Sequence, residues 1–257
     1  MKKNFSLYGL PENVEYCKNC VISNQRPNSV VEFKNSSNQK KGIKFNNEVC
    51  EACNYSKIKN KINWLDREKE LLKLLDKYRK KSGYDCVVPG SGGKDSAYTA
   101  HVLKYKYNMN PLTVTWAPHL YTDIGWKNFT NWMHVGGLDN VLFTPNGKLH
   151  RLLTHLSFKN LLHPFQPFII GQRIIGPKIA EKFDIPLVIY GENQAEYGNN
   201  IDENYNPIMS LDFFSDNDPN PTFGGIKMNE IIKNYNFKPN DFEPYRPINK
   251  DSVKSKD

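Results

Sequence analysis

An apolar run that stops on adjacent glycines and restarts as a helix leaves a chain few ways to fold. Residues 84–100, "YDCVVPGSGGKDSAYTA", have this form. "YDCVVP" reads as a short buried strand and "KDSAYTAHVLKYKY" as a helix. Between a strand and a helix, paired glycines let backbone N–H groups turn toward one concavity, and the helix N-terminus adds its partial positive charge there. That combination suits a phosphate. Ser91 and Ser96 can donate hydroxyl hydrogen bonds to it, and Lys94 brings a point charge. Asp95 is out of place beside an anion until a divalent ion is added, because a carboxylate there can hold Mg²⁺ against phosphate oxygens. The Walker A pattern G-x4-G-K-[ST] is not met: Lys94 is followed by Asp95, and no glycine stands five residues before Gly93. A plain glycine turn would explain Gly92 and Gly93 but not the K-D-S that follows.

Downstream the pattern alternates. "PLTVTWAP", "NVLFTP" and "PLVIYGEN" read as strands, and "GWKNFTNWMHVGG", residues 148–162 and residues 165–183 as helices. Short strands separated by helix-length segments predict β-α-β units, hence an α/β fold with a parallel sheet and helices on both faces. Ligands on such sheets bind beyond the carboxyl ends of the strands. "PGSGGKDS", "APHLYTD" and "GENQAEYGNN" all fall there. Past residue 199 the chain is rich in Asn, Asp and Pro and reads as a long loop or lid. A helix in "IKMNEIIKNYN" and a polar, disordered tail are expected after it.

Upstream, four of the five cysteines form two C-x2-C pairs, Cys17 with Cys20 and Cys50 with Cys53. Two such knuckles can close a tetrahedral thiolate site on one ion, the chemistry of structural zinc. An iron-sulfur cluster and two disulfides are the other readings of four thiols. The 29 residues between Cys20 and Cys50 can be spanned by a hairpin of "VVEF" and "GIKFN". Cys86 lies within the apolar run and reads as a buried structural thiol rather than a nucleophile. Between the cysteines and the glycine turn, "SKIKNKINWLDREKELLKLLDKYRKKSG" reads as one helix. Its stripe is Ile58, Ile62, Leu65, Leu72 and Leu75.

These signals divide the chain into a zinc-ribbon-like module over 1–55, a linking helix over 56–83, a nucleotide-binding domain over 84–198 and a lid or C-terminal segment over 199–257. Hydrophobic residues at 39% and aromatics at 12% are enough for a packed core and exclude a wholly disordered chain. No segment approaches the ~18 consecutive apolar residues that cross a bilayer, so no membrane partner is expected. The two lysines at the N-terminus precede no apolar core of signal-peptide length, and a cytoplasmic location is expected. The net charge of +8 suits a polyanion. Much of it lies in "NQKKGIK", "SKIKNK" and "KYRKK", which read as solvated surface, so nucleic acid ranks second among partners.

"SGGKDS", residues 91–96, resembles the PP-loop of the ATP pyrophosphatases, which cleave ATP between the α and β phosphates and adenylate a carbonyl oxygen. The order of features is the paired cysteine knuckles, then "YDCVVPGSGGKDS", then "VIYGENQAEYG". This order is similar to that of the N-acetyl sugar amidotransferases of bacterial surface-glycan synthesis, over roughly residues 16–198. The resemblance implies ATP, Mg²⁺ and structural Zn²⁺, an acetamido sugar such as a nonulosonic acid as substrate, and conversion of its acetamido group to an acetamidino group. It implies pyrophosphate binding by Ser91, Gly92, Gly93 and Ser96, charge neutralisation by Lys94 and magnesium at Asp95. Trp116 and Ala117, followed by Pro118, would border the adenine. Gly191, Glu192 and Asn193 would face the substrate, with Glu192 holding metal or orienting the nucleophile. His119, His134 and His163 are candidate acids or bases, although isolated histidines are more often core or surface residues. No glutaminase is visible, so a separate glutaminase subunit like that of histidine biosynthesis would supply ammonia. Members of that family continue further at the C-terminus, and residues 199–257 read as a shortened or replaced segment. The second reading is a PP-loop tRNA-modifying enzyme; the third is a nucleotide sensor without turnover.

Overall fold

The computed structural model describes residues 10–26, 42–193, 196, 206–209, 214 and 218–248. Two compact units divide the chain. One is Met1–Glu68 with Asn193–Met209, the other Lys69–Glu192 with Ser210–Asp257. The expected strand "VVEF", most of the expected lid and the polar tail lie outside the described residues.

In the first unit, β1 (Phe45–Asn46) pairs antiparallel with β2 (Val49–Cys50). The turn between them has positive φ at Asn47 (49°) and Glu48 (63°), the two-residue geometry whose twist matches a hairpin. Helix α1 (Glu51–Lys59) follows directly. The single helix expected over 56–83 is two: α1 ends at Lys59, and α2 runs Trp64–Tyr78. The break has a local cause. The Asn63 side-chain oxygen accepts from the amides of Leu65 (3.2 Å) and Asp66 (3.4 Å), an N-cap that starts a new helix. The expected apolar stripe shifts as a result. Leu75 is fully buried, whereas Leu65 is 71% exposed.

The second unit is built on a four-stranded parallel sheet of β3 (Cys86–Pro89), β4 (Pro111–Trp116), β5 (Asp139–Phe143) and β6 (Leu187–Val188). Its spatial order is β5-β4-β3-β6. All three pairings are parallel. The chain therefore builds outward from β3 to β5 and then crosses back to place β6 on the other side of β3. Crossovers are supplied by α3 (Lys94–His101), continued by a widened π turn at Val102–Lys106, by α4 (Asp123–His134), and by α5 (Gly147–Leu161) with α6 (Gln166–Lys182).

Helices cover both faces, as a parallel sheet requires. On one face Cys86 and Val88 pack with Leu75 of α2, Ala100 of α3, Leu103, and Phe129 and Trp132 of α4. On the other, α6 approaches so closely that a Cβ on Gly171 would meet the Trp116 indole at 2.3 Å, and one on Gly176 the Pro89 ring at 2.5 Å. The C-terminal part adds a hairpin of β7 (Thr222–Phe223) and β8 (Ile226–Lys227), helix α7 (Met228–Tyr235) and a 3-10 segment at Pro239–Tyr245. Among the described residues no helix is long and apolar enough to cross a membrane.

The amino edge of the sheet is tied by Asp85, which is 4% exposed. Its two carboxylate oxygens accept from the amides of Lys80 (2.6 Å) and Asn110 (2.7 Å), fastening the entries of β3 and β4 together. Asp85→Ala removes two charge-assisted bonds and strands two backbone donors. We expect a loss of about 3 kcal/mol in urea unfolding. A change within error would show that the clamp is dispensable.

Candidate functional site

The four-cysteine site is built from two tight turns. In the first, the amides of Cys17 and Val21 donate to Ile22 O and Cys17 O, both at 2.8 Å, and Val21 takes φ 54°. In the second, Cys50 ends β2 and Cys53 lies in the first turn of α1. Lys18 N donates to Glu48 O at 3.0 Å, and the Lys18 and Glu48 side chains pair as ions, joining the two turns. All four sulfurs lie within 4.8 Å of one another. Sγ–Sγ separations are 3.9 Å for Cys17–Cys53 and 3.6 Å for Cys20–Cys50. Tetrahedral zinc with bonds of about 2.3 Å sets its sulfurs about 3.8 Å apart, so the cluster fits that ion. The four cysteines are free thiols rather than disulfide-bonded pairs.

The electrostatics agree. Burial opposes ionisation of Cys17, but the amides of Cys50 (3.3 Å) and Asn19 (3.4 Å), both donating to its sulfur, help bring it down to about 6. Burial, followed by competition with the neighbouring sulfurs, pushes Cys53 up, and burial pushes Cys50 up. Four thiolates this close need a cation to coexist.

The glycine turn stands at the carboxyl edge of the sheet. Gly90 N donates to Val114 O at 2.9 Å, carrying the turn off β3 beside β4. Each residue of the turn has a reason. A Cβ on Gly90 would lie 2.3 Å from that of Ser96. Gly92 takes φ 82° and approaches α4, where a Cβ would sit 2.9 Å from Asn128 O. Gly93 is the N-cap of α3, and the first helical bond runs from Ala97 N to Gly93 O at 2.9 Å. The amides of Asp95 and Ser96 thus precede that bond and point beyond the helix end. Ser96 Oγ donates to Gly93 O at 3.2 Å, and Ser91 is exposed. Lys94 Nζ and Asp95 Oδ1 are 2.6 Å apart, with side chains 88% and 48% exposed.

The crossover brings the end of β6 to the same place. A Cβ on Gly191 would lie 2.9 Å from the Asp95 carbonyl and 3.0 Å from Ser96 N, so the loop after β6 rests on the first turn of α3. This is the topological switch point, where β3 has β4 on one side and β6 on the other. Glu192 is exposed beside it. The boundary between the two units falls after Glu192, and the side chain of Asn193 donates to Tyr55 Oη at 2.5 Å within the first unit.

Trp116 is not at the surface of that edge. It is 2% exposed, wedged under α6, while Ala117 and Pro118 are half-buried. Cys86 is fully buried, and burial, reinforced by the charge of Asp85, pushes its thiol up to about 12, as an inert structural thiol requires. His134 is exposed on the last residue of α4, and His163 is half-buried after α5.

His119 has a partner that the sequence reading passed over. Its ring lies 4.7 Å from that of His150, a buried residue of α5. His150 shares a helix face with Leu149 and Leu153, and in sequence nothing separates it from a core residue; only the fold reveals the pair.

No family model matches the chain. An uncharacterized protein of the archaeon Methanocaldococcus jannaschii is 35% identical to it over 81 residues, 31% of this chain and 29% of the relative. That relative's own description names no activity. The chain has an α/β fold with a four-stranded parallel sheet, a four-cysteine cluster consistent with a zinc ribbon, and a glycine turn seated at the switch point of the sheet.

Proposed function

We propose that the chain is an ATP-dependent, AMP-forming amidotransferase acting on an N-acetylated sugar. The carrying observation is the seat of the 91–96 turn, on the first turn of α3 with Gly191 packed against it. An anion held there would meet helix amides, two serine hydroxyls and the Lys94 ammonium. Asp95, next to that charge and half-exposed, would hold Mg²⁺ in this reading.

The chemistry follows from the poverty of amide oxygen as a leaving group. The acetamido oxygen attacks the α-phosphorus of ATP, the bond from that phosphorus to the bridging oxygen breaks, and pyrophosphate leaves with the electron pair. The amide gives up its N–H proton and becomes an O-adenylyl imidate. Ammonia adds to the imidate carbon, AMP departs, and an acetamidino group remains. The protein's task is positioning and charge neutralisation. A glutaminase subunit is the proposed ammonia source.

A polyanion reading has one observation in its favour. A concavity of about 540 Å³ at the opposite, amino edge is lined by Arg79, Lys80, Lys81 and Lys104. It supports the tRNA-modifying alternative. One experiment separates them: purified protein is incubated with ATP, Mg²⁺, ammonium and a panel of N-acetylated amino sugars, and nucleotide products are resolved. Sugar-dependent AMP and pyrophosphate are the expected result. ADP, or AMP that requires copurifying RNA, would overturn the sugar reading.

A further inference from the structure

The first crossover helix shows a row of aromatic and cationic side chains to solvent. Lys94, Tyr98, His101 and Tyr105 follow one another at helical spacing along α3 and its π turn, which puts them on one face. At one end the contact is direct, with the His101 and Tyr105 rings 4.9 Å apart. The Lys94 side chain is 88% exposed, Tyr98 71% and Tyr105 57%. His101 is exposed as well. One bare ring on a surface needs no explanation; rings lined up on one helix face beside cations do.

The far end of the row enters the concavity of about 540 Å³ at the amino edge, since Tyr105 and Lys104 line it together with Arg79, Lys80 and Lys81. Two of these cations are held in place by uncharged partners. Lys80 Nζ donates to Asp184 O at 2.5 Å, and Lys104 Nζ to Gly137 O. An ammonium has three hydrogens, so each keeps two for another acceptor. Lys81 is exposed. Arg79 spends its fork on Tyr107 O and Asn108 O and pairs with Asp76. Among the described residues the carboxylate of the wall is Asp85, buried with both oxygens committed to the amides of Lys80 and Asn110. Lys104 Nζ stands 5.7 Å from the centre of the Tyr105 ring, so charge and stacking face adjoin.

We propose that this face binds single-stranded RNA, with bases on the rings of Tyr98, His101 and Tyr105 and phosphates on Lys80, Lys81 and Lys104. Phosphates release counterions to lysines, and unpaired bases stack on aromatic rings. From Lys94 to Tyr105 the helix rises about 16 Å at ~1.5 Å per residue, room for about five stacked nucleotides at ~3.4 Å each. A duplex would hide its base faces and leave the rings idle. An acidic protein would meet the charge, but protein interfaces close over apolar cores. The large hydrophobics exposed over residues 94–106 are the two tyrosines, with no aliphatic side chain among them. The inference concerns binding, goes beyond the sugar reading and does not rest on it.

The test titrates the full chain into a fluorescein-labelled oligouridylate of about twelve nucleotides, without ATP or sugar, and follows anisotropy between about 50 and 200 mM salt. Saturable binding is expected, with log affinity falling against log salt at a slope of about −2, as three phosphate contacts at about −0.7 each give. Tyr98→Ala should weaken binding about tenfold, the scale of one lost base–ring stack, and leave the slope unchanged. Its urea midpoint should match wild type, because the side chain lies on the surface. Lys81→Gln should lower the slope by about 0.7. Duplex RNA of the same length should bind at least about tenfold more weakly, and oligoglutamate of equal charge should not displace the strand. Wild-type affinity in Tyr98→Ala, equal binding of the duplex, or displacement by oligoglutamate would show that charge alone is read and would overturn RNA as the occupant. No binding at the lowest salt would overturn it too. With no nucleotide or sugar present, the result stands apart from the AMP-release assay, which judges the reaction.

Discussion

Removal of the zinc expected at Cys17, Cys20, Cys50 and Cys53 should melt the N-terminal unit and leave the parallel sheet folded. Among the described residues the buried hydrophobic cluster of that unit is Cys17, Ile43 and Cys50, so two of its three members belong to the four-cysteine site itself. Without an ion, the apolar burial among the described residues of the unit is small against chain entropy. Structural zinc supplies about 10–16 kcal/mol of apparent binding free energy in zinc-finger peptides, far more than this small core can offer. The cluster beneath the sheet, from Leu75 to Leu138, shares no residue with it. Calorimetry should show two transitions, of which a chelator or Cys50→Ser abolishes one. Elemental analysis should find zinc stoichiometric with the chain. An unchanged thermogram after the metal is removed would refute the structural role, and visible charge-transfer absorption would identify iron and sulfide in its place.

The largest catalytic effect is expected at Asp95. Replacing it with Asn should cut pyrophosphate release at least about a hundredfold, the scale of losing one essential electrostatic partner in a phosphoryl-transfer site. Stability should change by less than about 0.5 kcal/mol, because the side chain is half-exposed and packs into no core. The pairing of unchanged urea midpoint with collapsed turnover separates a metal-holding carboxylate from a structural one. Wild-type turnover in Asp95→Asn would remove magnesium from this position. A Lys94→Gln variant gives a second reading: it should raise the KM for ATP more than it lowers kcat, as loss of a ground-state contact does.

Much of the second unit was legible because its signals are local. An apolar run such as "CVVP" can only be a strand buried on both faces, and a glycine pair before K-D-S can only be a turn into a helix. The four strands fell where they were expected. Helix α2 was harder. Its apolar residues continue the spacing of α1, and the cap at Asn63, one side-chain oxygen serving two amides, outweighs that continuity. The hairpin at Phe45–Asn46 was half seen, since its partner strand Val49–Cys50 is only two residues long and carries a ligand.

The interior polar groups were the least legible. Asp85 sits in an apolar run, and its function as a clamp depends on Asn110, which only the parallel pairing of β3 with β4 brings near. His150 meets Tyr245 across a sequence separation of 95 residues, so no window of sequence contains both. Trp116, expected at the edge, went inward because Gly171 on α6 leaves a hollow that an indole fills.

The contact of Gly191 with the first turn of α3 has a temporal meaning. The ribosome releases the 91–96 turn long before β6 is synthesised. Until that last strand docks, a nascent chain carries the turn without the segment that backs it. The backed form of the turn would then appear late in biogenesis, as a marker that the crossover has closed. Stalled-chain complexes ending just before or just after residue 191 offer a direct view of that moment.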